Sequence, residues 1–259
     1  YQYNTKVSVP FVVSNKHYGI LWDNYSLTRF GDPRPYENLD QFALYDKNGH
    51  AGGLTATYMV NKDPNNVFLE RMETTIDYEN LESVKQFPAH FPFNNAAITW
   101  EGYLQPKETG RWSFDVYYAG YTKVWLNDSL VVAERWRTAW NPNHYTFTAW
   151  LSSDKRHKIK VEWLPDGGVS YLGLKALSPR PEKEQGQLSF WSEMGRQLDY
   201  YFVAGETADQ VISGYRTLTG KAQVMPKWSM GFWQSRERYK TQEELLNTLR
   251  TFREQHIPI

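Results

Sequence analysis

Along "RWSFDVYY" (Arg111–Tyr118) apolar and polar side chains alternate. Trp112, Phe114, Val116 and Tyr118 fall on one face, and Ser113, Asp115 and Tyr117 on the other. A period of two is that of a β-strand with one buried side. Comparable runs surround it: "AAITWEGYLQP", "TKVWLNDSLVVAERW", "NHYTFTAWL" and "HKIKVEWL". Within "LNDSLVV", Asn127 and Asp128 supply the turn of a hairpin, and "PDGG" (Pro165–Gly168) marks a further turn. Short strands at roughly even spacing with such turns predict a β-sandwich or barrel over about Gly52–Ser178.

The flanking sequence has other rhythms. Val7–Phe30 alternates around "SNKHYG", which predicts two strands joined by a turn, with Gly19 relaxing the backbone. "GDPRP" (Gly31–Pro35) then interrupts, because prolines so close together cannot occupy a central strand. Ser178–Gln187 reads as a polar, Pro-containing linker, and "LDYYFVAG" returns to a strand pattern. "TADQVISGYRTLTG" predicts a short helix with Gly220 past its end.

"SMGFWQS" (Ser229–Ser235) predicts a strand, and Thr241 opens a helix. Thr241 with Glu244 makes an S/T-x-x-E capping box, in which each side chain satisfies a free backbone N–H. Leu245, Leu249, Phe252 and His256 follow at helical spacing and give the helix a face to bury. "HIPI" then starts another strand. Strand, helix, strand is the first βα unit of a parallel α/β fold. Such a unit cannot bury both faces of its strand alone, so Ser229–Ile259 is expected to depend on further contacts.

Composition narrows the function classes. Lys plus Arg and Asp plus Glu are both 29, so the net charge is +0 and there is no electrostatic footprint for nucleic acid or an anionic membrane. No apolar run approaches a membrane span. The absence of cysteine excludes disulfides, thiol nucleophiles and thiolate metal sites. It suits a bacterial secreted or periplasmic protein, the setting favoured here, and also a cytosolic one. The N-terminus begins in strand-like sequence without Met or a signal region, so the chain reads as an internal piece of a longer protein. Aromatic residues reach 16%, with 11 Trp, 18 Tyr and 13 Phe. That richness suits both pleated sheets and surfaces that stack on sugar rings.

Tyr200–Leu246, "YYFVAGETADQVISGYRTLTGKAQVMPKWSMGFWQSRERYKTQEELL", resembles glycoside hydrolase family 31, with "GFWQSRERY" similar to its α-xylosidase branch. "VPFVVSNKHYGILWDN" is similar to the closing strands of that family's N-terminal sandwich. "ITWEGYLQPKETGRWSFDVYY", "KVWLNDSLVVAERW" and "HKIKVEWLPDGG" resemble the PA14 domain. The resemblances imply a mainly β chain: a discontinuous β-sandwich, an inserted PA14-like β-barrel or sandwich, and the first βα unit of a (β/α)8 barrel. They divide the chain into residues 1–45 (closing sandwich), 50–178 (insert), 187–222 (return to the sandwich and a linker helix) and 223–259 (barrel start). Insertion is physically reasonable, because loop tips tolerate large additions.

The implied activity is that of a retaining exo-α-glycosidase, an α-xylosidase acting on xyloglucan oligosaccharides, with the insert extending substrate contact. An α-glucosidase of the same family and a non-enzymatic carbohydrate-binding or adhesion module stay open. Retaining hydrolysis needs two carboxyl groups about 5–5.5 Å apart. The family takes its catalytic aspartates from later barrel strands, so no catalytic residue is assigned. Calcium-using PA14 relatives carry paired aspartates in a loop that here reads "YYAGYTK" (Tyr117–Lys123), without a carboxylate; neither metal nor cofactor is expected.

The substrate-binding candidates are Trp140, Trp233, Gln234 and Arg236. The last three lie at the end of the first barrel strand, where they either support a sugar site or pack and pair at the barrel top. Trp140 lies in the loop "RTAWNPNHY", either as a stacking platform or in satellite packing. Core packing is the default for Trp136, and His256 is expected to pack on its helix face. The expected partner is an oligosaccharide; the oligomeric state stays open.

Overall fold

The computed structural model describes residues 9–166 and 170–258. In chain order its strands begin with β1 (Phe11–Ser14), β2 (Tyr18–Trp22), β3 (Thr28–Gly31), β4 (Glu37–Asn38), β5 (Ala43–Tyr45) and β6 (Leu54–Met59). Next come β7 (Val67–Glu73), β8 (Ile76–Tyr78), β9 (Ala97–Gln105), β10 (Gly110–Tyr118), β11 (Gly120–Leu126) and β12 (Ser129–Arg137). The last are β13 (Asn143–Leu151), β14 (His157–Leu164), β15 (Leu172–Leu177), β16 (Ser189–Ser192) and β17 (Tyr200–Ala204). The α-helices are α1 (Leu81–Val84), α2 (Ala208–Thr219) and α3 (Gln242–Glu254). The chain is mainly β and folds as two compact units.

Ser26–Met194 is a sandwich of two antiparallel sheets. One runs β13-β10-β15-β4 with β8 beside β15; the other runs β12-β11-β14-β9-β6-β7 with β5 beside β9. The alternation read from β10 is the alternation found, since Trp112, Phe114, Val116 and Tyr118 are all buried. They meet Ile98, Trp100, Val124, Val161 and Trp163 of the other sheet in one continuous core. Burial of each such aromatic contributes about 1.5–3 kcal/mol. Asn127 (φ 49°) and Asp128 (φ 63°) close the β11–β12 hairpin with both central residues left-handed, as a type I′ turn requires. Gly167 and Gly168 of the expected "PDGG" turn lie outside the described residues.

The "GDPRP" break forms the neck of this unit. β3 pairs with β16 in a two-stranded ribbon, with Phe30 against Phe190 at 4.7 Å. Beside it the Asp32 carboxylate accepts from Arg34 Nη2 at 2.7 Å and from Arg180 Nε at 2.9 Å. Hydrogen bonding from Arg34, opposed by burial and aided by Arg180, holds Asp32 well below the usual carboxylate range. Arg34 also donates to the Ser178 carbonyl at 3.0 Å, and Arg180 to the Gly31 carbonyl at 3.0 Å. The entering and leaving strands are thus tied at one point.

The second unit combines Val9–Tyr25 with the chain from Gly195. β1-β2-β17 form a three-stranded sheet against which α2 packs. Sequence reasoning gave Gly19 the turn, but the left-handed residue there is His17 (φ 60°). Gly19 lies within β2, where a Cβ would strike the Phe11 ring and Val211. That close approach lets Phe11 stack on Tyr215 of α2 at 4.4 Å. α2 ends at Gly220 (φ 86°) as expected, and at its start Thr207 accepts from the Gln210 N–H.

The strand expected over Ser229–Ser235 is absent among the described residues. Lys227–Met230 make a single 3-10 turn and the backbone onward is irregular. A parallel strand forms only beside hydrogen-bonding neighbours, and no described strand lies alongside. α3 forms without them, since capping is local. Thr241 accepts from the Glu244 N–H at 3.1 Å. The reciprocal bond goes one residue further back than a capping box requires, from the Lys240 N–H to Glu244 at 2.9 Å. Its apolar face is not buried: Leu245 and Leu249 are exposed, and Phe252 meets Phe232 edge-on at 5.9 Å. His256 lies beyond the helix end, exposed and left-handed (φ 56°), so it does not pack.

Candidate functional site

The rim of the sandwich is shaped by an irregularity in β12. Val124 pairs with Val132, whereas Thr122 pairs with Arg135, so three steps on β12 match two on β11. Such a bulge reverses which alternate residues face inward. Regular pairing would turn Glu134 and Trp136 to the core side with Val132. Instead Arg135 and Arg137 take that side, opposite the buried Thr122 and the chain at Gly120. Trp136 turns outward, 43% exposed, beside Tyr121 at 6.2 Å, and donates its indole N–H to Asp166 at 2.7 Å. The packing default for Trp136 therefore fails because of one inserted residue.

The Arg135 guanidinium lies over the Tyr145 ring of β13 at 3.5 Å from the centroid. The Nε–H groups of Arg135 and Arg137 are both buried without a hydrogen-bond partner. Between β12 and β13 the chain turns through residues 138–142, fixed by the Asn141 N–H donating to the Thr138 carbonyl at 3.1 Å. Trp140 is carried in that turn and is 95% exposed, with no ring contact to a described residue. The exposure of Trp140 agrees with the expectation that Trp in a Pro/Asn loop is hard to bury. The inward turn of Arg135 and Arg137 could not be read from one strand, since only the bulge orients them.

The outer sheet faces carry charged side chains. On the seven-stranded sheet an open groove of about 490 Å³ is lined by residues including Lys47, Glu70, Glu101, Lys160 and Glu162. These five charges pair with one another: Lys47 with Glu70 at 2.6 Å, and Lys160 with Glu162 at 3.2 Å and Glu101 at 3.3 Å. On the five-stranded sheet His144 Nδ1 meets Asp115 at 2.8 Å. That hydrogen bond, opposed by burial, raises the His144 pKa.

A raised pKa stabilises the fold fully below the unfolded imidazole value near about 6.5, and the contribution is lost as pH rises through the folded value. Asp115→Asn is therefore expected to cost up to about 1 kcal/mol at low pH, the His144 side chain being half-exposed. The cost fades at alkaline pH. Urea unfolding of both proteins at pH 5.5 and 8.5 checks this; a cost that grows with pH contradicts the assignment.

In the second unit Trp233, Gln234 and Arg236 lie in the segment before α3, where Gln234 and Arg236 both meet Tyr239 and Trp233 turns back to Ser229. The Trp233 indole donates to the Ser229 carbonyl at 2.7 Å, and Gln234 accepts from the Tyr239 hydroxyl at 2.5 Å. Arg236 donates to Glu244 at 2.6 Å and lies 4.7 Å from the Tyr239 ring. Its carboxylate partner is thus within the chain. Glu243 and Glu244 occupy the first turn of α3, where the helix dipole favours negative charge. Trp140 stands in the other unit. Among the described residues no group of three or more His, Asp or Glu side chains is placed to hold a metal, and no helix is long and apolar enough to cross a membrane.

The described residues of Ser26–Met194 thus form a two-sheet antiparallel β-sandwich with an exposed indole on its rim. The chain belongs to the PA14 domain family, whose model matches residues 50–185, more than half of its length. Residues 222–259 match the glycosyl hydrolases family 31 TIM-barrel domain. An α-xylosidase of Saccharolobus solfataricus is 48% identical over 75 residues, which is 29% of this chain and 10% of that protein. α-Glucosidase 2 of Bacillus thermoamyloliquefaciens is 41% identical over 69 residues, 27% of this chain and 9% of that protein. The crystal structure of a family 31 α-xylosidase from Xanthomonas citri matches with a TM-score of 0.81 at 41% identity, covering 98% of this chain and 28% of that one. The matched segments thus span about a tenth of the curated relatives' length.

Proposed function

We propose that the chain is the non-catalytic front portion of a retaining exo-α-glycosidase that removes α-linked xylose from xyloglucan oligosaccharides. The likeness to the Xanthomonas citri α-xylosidase carries this reading, because at 41% identity it extends over 98% of the chain. In this reading residues 1–45 and 187–222 belong to a discontinuous N-terminal sandwich, 50–178 are its insert, and 223–259 open the catalytic barrel. The insert grips the oligosaccharide beyond the cleaved sugar, with Trp140 as a stacking platform. Trp233, Gln234 and Arg236 support the sugar site from the barrel side, Arg236 through its pairing with Glu244.

The similarity to α-glucosidase 2 favours one further reading, an α-glucosidase of the same family. The two are separated by assaying the protein that carries this chain on α-xylosides and α-glucosides. Xylose release supports the first reading, and glucose release alone replaces it with the second. The 259-residue chain itself is expected to hydrolyse neither substrate. Turnover by it would place the catalytic carboxylates within these residues and overturn the non-catalytic assignment.

A further inference from the structure

The rim described above holds two cations without a counter-charge. Neither Arg135 nor Arg137 has an ion pair with a described residue, and both Nε–H groups are buried and unpaired. A buried donor left without an acceptor costs about 1–3 kcal/mol, more when the group is charged. Residues two apart on a strand lie about 6.7 Å from one another, so the two like charges also repel. The other exposed cations on this sheet are neutralised locally, Lys123 by Glu134 at 3.0 Å and Lys158 by Asp128 at 2.7 Å. The arginine pair is the exception among them.

We infer that Arg135 and Arg137 seat the carboxylate of a uronic-acid-bearing oligosaccharide, with Trp140 stacking on a neighbouring ring of the same ligand. The inference rests on the proposed sugar contact at Trp140 and sharpens the ligand class from neutral to acidic. The Arg135 guanidinium carbon lies 3.5 Å from the Tyr145 ring centroid, which holds the group in place, while its fork of terminal Nη groups has no ion pair with a described residue and suits a planar carboxylate. A hydroxyl offers such a fork only a dipole, whereas a carboxylate supplies two acceptors and the missing charge. The exposed indole, three residues beyond Arg137, offers the flat apolar face that a pyranose uses and a small inorganic anion does not. The bulge in β12 turns the arginines toward Tyr145, and Trp140 follows in the turn that leaves the same strand.

Calorimetric titration of the 259-residue chain tests this with a glucuronate-bearing xylo-oligosaccharide and its carboxyl-reduced, neutral counterpart. The acidic sugar is expected to bind about tenfold tighter at low salt, as a charge-assisted bidentate contact implies. Arg135→Met/Arg137→Met is expected to abolish the difference between the two sugars. Arg137→Lys, which keeps the charge but loses the fork, guards against misfolding of the double variant and is expected to retain only part of the preference. Equal affinity for the two sugars, or a preference that survives the double variant, overturns the inference. Inorganic sulfate that displaces the acidic sugar at comparable concentration would show a simple anion site and overturn it as well. Trp140→Ala separates this from the underlying reading: neutral binding unaffected by that change refutes the sugar contact itself, whatever the arginines do.

Discussion

Glu73→Ala is expected to lower the stability of the PA14 unit by about 3–5 kcal/mol, the cost of breaking a buried charge network from one side. The Glu73 side chain is only 8% exposed and is saturated with donors. One carboxylate oxygen accepts from the Tyr58 hydroxyl at 2.5 Å and Arg71 Nε at 2.7 Å. The other accepts from the Trp100 indole at 2.6 Å and the Tyr78 hydroxyl at 3.1 Å. Arg71 Nη2 closes the network on the two hydroxyls at 3.1 and 3.3 Å. Burial, with the Glu73 charge, pushes the Tyr58 phenol far above its ordinary value, so it remains a donor throughout the accessible pH range. Without Glu73, four donors point at a void. Glu73→Gln preserves the shape but presents an N–H₂ to donors, so much of the loss remains. Chemical denaturation checks this, and a loss under about 1 kcal/mol for the alanine variant would contradict the network's role.

Trp163→Ala is the second large effect, about 3–5 kcal/mol for a fully buried Trp. Trp163 lies on β14, inside the seven-stranded sheet, with no exposed surface. Its ring stacks on Phe87 at 5.6 Å and lies 6.5 Å from Trp100, and its indole donates to the Ala119 carbonyl at 2.7 Å. The alanine variant loses dispersion contacts and leaves the carbonyl unpaired. Trp163→Phe keeps much of the ring and should cost clearly less. Equal costs would show that the hydrogen bond, not packing, dominates. Because Trp100 touches both Trp163 and Glu73's carboxylate, the two large changes should not add when combined.

These two residues also show where sequence reading stops. The strands themselves were legible, because period-two alternation in "RWSFDVYY" and the Asn127–Asp128 turn are local signals. The strand "HKIKVEWL" that carries Trp163 was legible in the same way. The Glu73 network was not, since its partners Tyr58, Tyr78 and Trp100 are brought together only by sheet pairing. The bulge in β12 was invisible for the same reason: it is a property of two strands, not of one. At the other end, α3 was found because a Thr cap and helical spacing act within a few residues. The strand before it was wrongly expected, because "SMGFWQS" has the pattern of a barrel strand but no neighbour to pair with. The exposure of Trp140 was legible through the Pro/Asn composition of its loop.

The central claim, that the PA14 unit contacts the oligosaccharide through its rim, is tested most directly by following the indole N–H resonances of the chain during titration with a xyloglucan heptasaccharide. The indole of Trp140 is expected to shift and saturate, while those of the buried Trp100, Trp112 and Trp163 stay in place. A Trp140 resonance that does not move at saturating sugar would contradict the account.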